Sequence, residues 1–288
     1  MPLLYYWRGD NHRRDLDEGV AYHLNHRNPL LHSAQNGDSL WAFTRAEGGA
    51  YSLAAQLVVS GRTHNPKDHH YGPYRLWGHL NHSRYFQVGA HNDVEPIIRM
   101  LSARTKARHL GQSFQGMASV RALTTQDHQL LTKFANALPL EPRAALLPEL
   151  PLEHHLYLDD EEQLEAWLNT RHSGIAPTRR RWLIGAVTRN RKLAPQLQNL
   201  YCGRCQICEW SPKDLHDVYA CEGHHIQWLS RSGSDALENM ALLCPNHHRL
   251  IHKLDGHFDF QERAFVLSND QRLKVQLDHH LPSGGTHG

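Results

Sequence analysis

Between Cys205 and His252 the chain gathers cysteines, histidines and one asparagine at spacings that can hold metal ions. Cys205 and Cys208 form a C-x2-C knuckle, a spacing with which one tight turn presents two thiolates to a tetrahedral ion. Cys244-Pro245-Asn246-His247 repeats the spacing with a histidine in the last place. Together these four make a Cys3His zinc site, structural because protein would fill every position; the plainer alternative is two unrelated thiol pairs in a reduced core. Cys202 confuses the register, since it forms a second C-x2-C with Cys205, and Cys221 reads as a buried thiol rather than a ligand.

A second set of side chains suits different chemistry. His248 and His252 are four residues apart in a stretch of helical character, HHRLIHKL, so both project from one helical face and can bind one divalent ion. His224 is the natural third ligand, from a preceding strand, and His225 beside it points to the other face of that strand. One histidine then holds the metal while its neighbour meets a water. Asn239 falls in a loop ahead of the helix, placed to bridge backbone groups or to orient His225. The bland reading is a zinc-binding DNA module whose histidines do no chemistry.

Taken together, His224-His225-Ile226, then Asn239, then His248 and His252 closely resemble the HNH (ββα-metal) nuclease motif. The resemblance implies that His225 is the general base, that His224, His248 and His252 bind the catalytic ion, and that Asn239 is the central asparagine. It also places the knuckles in the zinc-stapled branch of the family, with His247 standing where many relatives carry the last cysteine. A neutral imidazole takes a proton from water near neutral pH. A metal on the scissile phosphate stabilises the charge that develops there and on the departing 3′ oxygen. Imidazole ligands suit several transition ions and magnesium serves where water positions stay open, so the expected catalytic ion is Mg2+, Mn2+, Ni2+ or Co2+, beside a structural Zn2+.

Composition bounds the setting. A chain of 288 residues has room for two modest domains. A mean hydropathy of −0.61, with no long apolar run and no signal-peptide pattern, describes a protein without a membrane partner. All the cysteines lie between Cys202 and Cys244, which fits metal binding in a reducing cytoplasm better than a disulfide framework. The net charge of +2 means that any nucleic-acid surface is local rather than global.

The elements around the motif divide the chain into parts. Up to Leu123, Ser39–Arg45, Ser52–Ser60 and Tyr85–Val88 read as strands, Asn36-Gly37-Asp38 and Glu47-Gly48-Gly49 as turns, and Asp93–Leu101 and Leu110–Met117 as short helices. A small curved β-barrel with flanking helices is the expected packing. Helices follow at Thr125–Ala137, Asp159–Asn169 and Pro177–Val187, with a Pro-studded connector (Pro139, Pro142, Pro148, Pro151) taken as the domain boundary. Arg179, Arg180 and Arg181, backed by Arg189, Arg191 and Lys192, could grip phosphates, or could simply form a solvated helix face. Phe258–Phe260, Ala264–Leu267 and Leu273–Leu277 suggest a terminal hairpin turning at Asn269-Asp270.

The first part carries a second, weaker resemblance. An aromatic strand (Tyr5-Tyr6-Trp7), then Asn25-His26-Arg27-Asn28, then Asn36 to Phe43 and an apolar strand, is similar to the PUA-like group that includes EVE- and SRA-like modified-base readers. Several relatives hold a flipped base between aromatic faces, which implies Trp7, Asn28, Trp41, Phe43, Tyr71 and Trp77 as pocket residues. Any of these aromatics could equally fill a barrel core.

The expected architecture is therefore α+β. A PUA-like reader covers residues 1–123, a helical connector 124–195, a zinc-stapled ββα-metal domain 196–280, and a disordered tail 281–288. A PUA-like reader followed by an HNH domain resembles the modification-dependent (type IV) restriction endonucleases, which implies a modification-dependent DNA endonuclease acting on double-stranded DNA. An HNH nuclease without modification dependence and a catalytically silent binding module are the alternatives. One such site cuts one strand, so a homodimer would make a double-strand break easier.

Overall fold

The computed structural model describes residues 1–158 and 160–282, and divides into two compact units. The first comprises residues 1–17, 22–62 and 69–144; the second comprises 18–21, 63–68 and everything from Ala145. The chain is α+β throughout, as its strand and helix patterns predict. No helix among the described residues is long and apolar enough to cross a membrane.

The first unit is built on one sheet. Its elements run β1 (Leu3–Tyr6), α1 (Gly9–Glu18), β2 (His23–His26), β3 (Ser39–Arg45), β4 (Tyr51–His64), β5 (Tyr74–Gly78), β6 (Arg84–Tyr85), α2 (Glu95–Met100), α3 (Leu110–Ser113), β7 (Val120–Ala122) and α4 (Thr125–Ala135). The strand order is β2-β5-β4-β3-β1-β7, with β6 on β4, and the sheet curls into a half-barrel. Ser39–Arg45 is buried at every position but the last, the near-continuous burial of a central strand covered on both faces. β1 pairs parallel to β3 and antiparallel to β7. The expected strand at Tyr85–Val88 shrinks to Arg84–Tyr85, Phe86 keeping a single bridge to Leu140. Thr124 and Asp127 form a reciprocal capping box that starts α4. Expected with the connector, α4 instead packs Leu131 and Ala135 against Trp41, Phe43 and Phe114 in this unit's core.

The second unit continues with α5 (Glu149–Leu158), α6 (Glu161–Arg171), α7 (Pro177–Leu200), α8 (Lys213–His216), β8 (Glu222–His225), β9 (Met240–Leu243), α9 (Pro245–Lys253), β10 (His257–Asp259), β11 (Ala264–Val266) and β12 (Arg272–Lys274). The Pro-studded connector is in part a helix. Pro151 falls in the first turn of α5, where a missing N–H costs no helical bond. Leu152 and Leu156 of α5 meet Leu164, Leu168, Leu183 and Val187 in a small core that also takes in Leu229. α7 runs well past Val187 and carries Pro195 inside it. β8 and β9 form an antiparallel hairpin in which His224 faces Ala241 and His225 faces Met240. The terminal hairpin gains a third strand, in the order β10-β11-β12, with Asp270 at φ 62° in the expected turn. Leu281 packs into the core beneath the hairpin and the Pro282 carbonyl accepts from Arg263, whereas residues 283–288 of the expected tail lie outside the described residues, as do Asp159 and the Arg191 side chain.

Candidate active site and metal centres

The β8–β9 hairpin and α9 set the histidines. His224 and His225 end β8, and His248 and His252 lie one turn apart on α9, which Pro245 starts at a position where proline is favoured. The Nε2 atoms of His248 and His252 come within 3.1 Å of each other, so both rings aim at one point. His224 stacks edge-on against both, fully buried, with no hydrogen-bond partner for either ring nitrogen. An imidazole with two orphaned buried nitrogens is costly unless a cation is bound there. Burial pushes its pKa well below the ordinary histidine value, keeping the ring neutral, as a ligand must be. His248 turns its other nitrogen to Glu222, 2.5 Å away, the outer carboxylate that orients a ligating histidine.

A residue that sequence reasoning missed closes this group. Glu153, on α5, brings Oε2 to 2.9 Å from His252 Nε2 and 3.1 Å from His248 Nε2. Its Oε1 is 3.8 Å from His224 Nδ1 and 4.0 Å from His225 Nδ1. Burial alone would raise the Glu153 carboxyl, but hydrogen bonds with His248 and His252 hold it far below the usual carboxylate range. One turn earlier, Glu149 accepts from the backbone N–H of Leu229 and of Ser230, each at 2.8 Å, and so ties α5 to the segment that follows β8.

His225 has a different environment from His224. Its Nε2 meets Asp235 Oδ1 at 3.1 Å, and Asp235 in turn holds Arg189 Nε at 3.1 Å. The Nδ1 atom is buried and unpartnered. Asn239 does bridge backbone groups: its Oδ1 accepts from Gln227 N–H at 2.8 Å, and its Nδ2 donates to the Gln227 and Ser234 carbonyls. The loop between them turns so closely that a Cβ on Gly233 would collide with the Gln227 carbonyl. Asp235, rather than Asn239, is the side chain that meets the His225 ring.

The knuckle residues also converge. Cys205, Cys208, Cys244 and His247 bring their ligand atoms within 4.8 Å of one another. His247 Nδ1 is 3.2 Å from Cys244 Sγ and 3.6 Å from Cys205 Sγ. Burial, with the neighbouring Cys205 and Cys244 sulfurs, pushes the Cys208 thiol up to about 11, a crowding that a bound cation would reverse. The group therefore fits a metal. Cys202 stands outside it, exposed, and Cys221 is buried with its thiol on the Trp210 carbonyl.

Residues 205–254 match the family model for HNH endonucleases. The chain thus carries an HNH endonuclease domain. The HNH motif and knuckles lie inside the matched segment, whereas Glu149, Glu153 and Arg189 lie outside it. The chain is also 34% identical over 64 residues to Anaredoxin from Nostoc sp. (strain PCC 7120 / SAG 25.82 / UTEX 2576), 22% of this chain and 76% of that protein. Among solved structures it is similar to a modification-dependent TagI restriction endonuclease, at 11% identity and a TM-score of 0.27, over 90% of this chain and 65% of that one. It is also similar to the type IV phosphorothioation-dependent restriction endonuclease ScoMcrA, at 17% identity and a TM-score of 0.21, over 81% of this chain and 45% of that one. The chain thus spans less than two thirds of either of those proteins.

The base-reading candidates do not come together. Trp41, Phe43 and Trp77 are buried in the first unit, Trp41 donating from Nε1 to His128 Nδ1 at 3.1 Å. Trp7 donates to Asp15, and Asn28 caps the short 3-10 turn Pro29–Ser33. Only Tyr71, 41% exposed, lines the unit's large cavity of about 720 Å³. Tyr5, Tyr6, Tyr51 and Phe114 supply its other aromatic faces, and Asn25 and His26 supply polar edges. Of the arginine cluster, Arg179 is buried and donates to the Leu229 carbonyl, Arg180 binds Asn169, and Arg181 is exposed.

Proposed function

We propose that this HNH endonuclease hydrolyses phosphodiesters of modified double-stranded DNA, with the first unit as the base reader. The observation behind the nuclease half is His224, sealed from solvent with both ring nitrogens unpartnered beside His248 and His252. These three would hold a divalent ion, Mg2+, Mn2+, Ni2+ or Co2+, which would supply charge stabilisation at the scissile phosphate and the departing 3′ oxygen. His225 is the general base. Asp235 takes its Nε2–H, which fixes the tautomer and leaves the Nδ1 lone pair to accept a proton from the attacking water. Asn239 holds the two ends of the intervening loop in register, so that Asp235 stays behind the base. The Cys3His group fits a structural Zn2+ that staples the knuckle to the start of α9.

The reader half rests on the cavity in the first unit. Aromatic faces from Tyr5, Tyr6, Tyr71 and Phe114, with polar edges at Asn25 and His26, suit a flipped base. This moves the reading site from the buried Trp41, Phe43 and Trp77 to Tyr5, Tyr6, Asn25, His26 and Tyr71 of the PUA-like resemblance, joined by Phe114 from outside it. Two copies would cut both strands of one site.

Matched duplexes test both halves: unmodified, methylated, hydroxymethylated, glucosylated and phosphorothioated, each with the four candidate ions. Cleavage confined to one modified class supports the full reading. Equal cleavage of all would keep the nuclease and remove the modification dependence. No metal-dependent cleavage of any duplex would overturn the nuclease itself.

A further inference from the structure

We propose that Glu153 is a fourth protein ligand of the ion held by His224, His248 and His252, a carboxylate delivered by α5 from outside the ββα element. The proposal rests on the nuclease reading of the histidine cluster and extends it to a residue that the matched segment does not contain. The ligand atoms of Glu153 and the three histidines all lie within 4.8 Å of one another, close enough for one ion to draw them to bonding distance. Oε2 already meets both Nε2 atoms of α9, while Oε1 is buried without a hydrogen-bond partner on the side of His224. A plain ion pair with His248 and His252 would leave that oxygen and both nitrogens of His224 unsatisfied in the interior, which buried polar atoms rarely tolerate. One cation would take up a nitrogen of His224 and the Glu153 carboxylate together.

The arrangement is also held in place rather than incidental. Glu149 and Glu153 are four residues apart, on one face of α5. The Glu149 carboxylate is fixed by two backbone N–H groups just beyond β8, and Leu152 and Leu156 anchor the same helix in its core. Glu153 is therefore aimed at the histidines by a turn of helix secured on both sides. Three imidazoles and one carboxylate fill a tetrahedral ion, so only an ion that accepts five or six ligands would keep a position for phosphate.

The test is a titration of the full chain, its Cys3His group filled with zinc, with cobalt(II) alone, read by visible absorption. Thiolate-to-cobalt bands would reveal any ion diverted to the cysteines. Glu153→Gln, Glu153→Asp and His248→Ala are compared with the parent, and thermal melting confirms that each is folded. A ligand role predicts that Glu153→Gln weakens cobalt binding by roughly tenfold or more, at least the loss seen when merely orienting groups are removed. It also predicts an altered ligand-field spectrum and partial recovery in Glu153→Asp. Unchanged or tighter binding in Glu153→Gln, with binding lost in His248→Ala, would overturn the Glu153 assignment and leave the histidine centre standing. Unchanged binding in both variants would overturn the centre and the proposal together.

Discussion

Asp235 Oδ1 stands 3.1 Å from Nε2 of His225, and the other nitrogen of that ring has no hydrogen-bond partner. A carboxylate on one side of an imidazole selects the tautomer that leaves a lone pair on the other. The pair thus has the arrangement that the proposed base needs, with Arg189 holding Asp235 from behind. Replacing Asp235 with Ala should lower the cleavage rate by about 10- to 100-fold, the scale seen when orienting groups are lost, while DNA affinity holds. Single-turnover cleavage and a separate binding titration check this; an unchanged rate would show that His225 needs no orienting partner.

The Cys3His group makes a prediction about stability rather than rate. Cys208→Ser should lose one equivalent of tightly bound metal and lower the melting temperature by about 10 °C, as a loss of a few kcal/mol does in a unit of this size. Cys202→Ser should change neither, because its thiol is exposed and outside the group. Metal analysis and melting curves of both variants distinguish the two overlapping C-x2-C registers.

Two aromatics in the first unit should behave oppositely. Trp41 is wholly buried against Phe43 and α4, so Trp41→Ala should cost about 3–5 kcal/mol of stability. Tyr71 is 41% exposed at the cavity, so Tyr71→Ala should leave stability within about 0.5 kcal/mol and weaken binding to modified duplex. Denaturant unfolding together with binding to matched modified and plain DNA separates core from reader. Unaltered discrimination in Tyr71→Ala would move the reading site elsewhere.

Acid should loosen the first unit through His12. Burial lowers its pKa to about 4, with the Glu141 charge opposing, and its ring lies edge-on to Trp7 at 4.8 Å. The folded value is below the unfolded one, so between about pH 6.5 and 4 the unfolded chain binds more protons. Stability from this group is complete above pH 6.5 and falls as pH drops through that window, by at most about 3 kcal/mol. Melting temperatures measured from pH 7.5 to 4 should decline, and His12→Leu should decline less.

The nuclease motif was legible because its residues are local. His224-His225, Asn239 and the His248/His252 pair sit within one hairpin and one helix, where spacing and periodicity fix which side chains share a face. Glu153 was illegible because no spacing connects it to them; tertiary packing brings α5 to the site. Its helix was also disguised, since Pro148 and Pro151 read as breakers although Pro151 falls in the first turn. Asp235 was hidden in a polar loop, where only the folded turn at Gly233 reveals what it faces. In the first unit, the strands at Ser39–Arg45 and Ser52–Ser60 were plain from their apolar runs, the second running longer in the fold, over Tyr51–His64. Which aromatics border a cavity was not, because alternation along a strand separates two faces but cannot say which face is filled.

The pairing of β1 bears on how the first unit is made. Leu3, Leu4 and Tyr5 are registered with Leu40, Trp41 and Ala42 on one side and with Ala122, Arg121 and Val120 on the other. A chain emerging residue by residue from the ribosome exposes this opening strand long before its second neighbour exists. The sheet can start early on its β3 side but cannot finish until Ala122 has appeared, so most of the unit must wait as an open edge. Such an edge is where nascent chains pair wrongly. A pause in translation before residue 120 should therefore harm yield more than the same pause after α4.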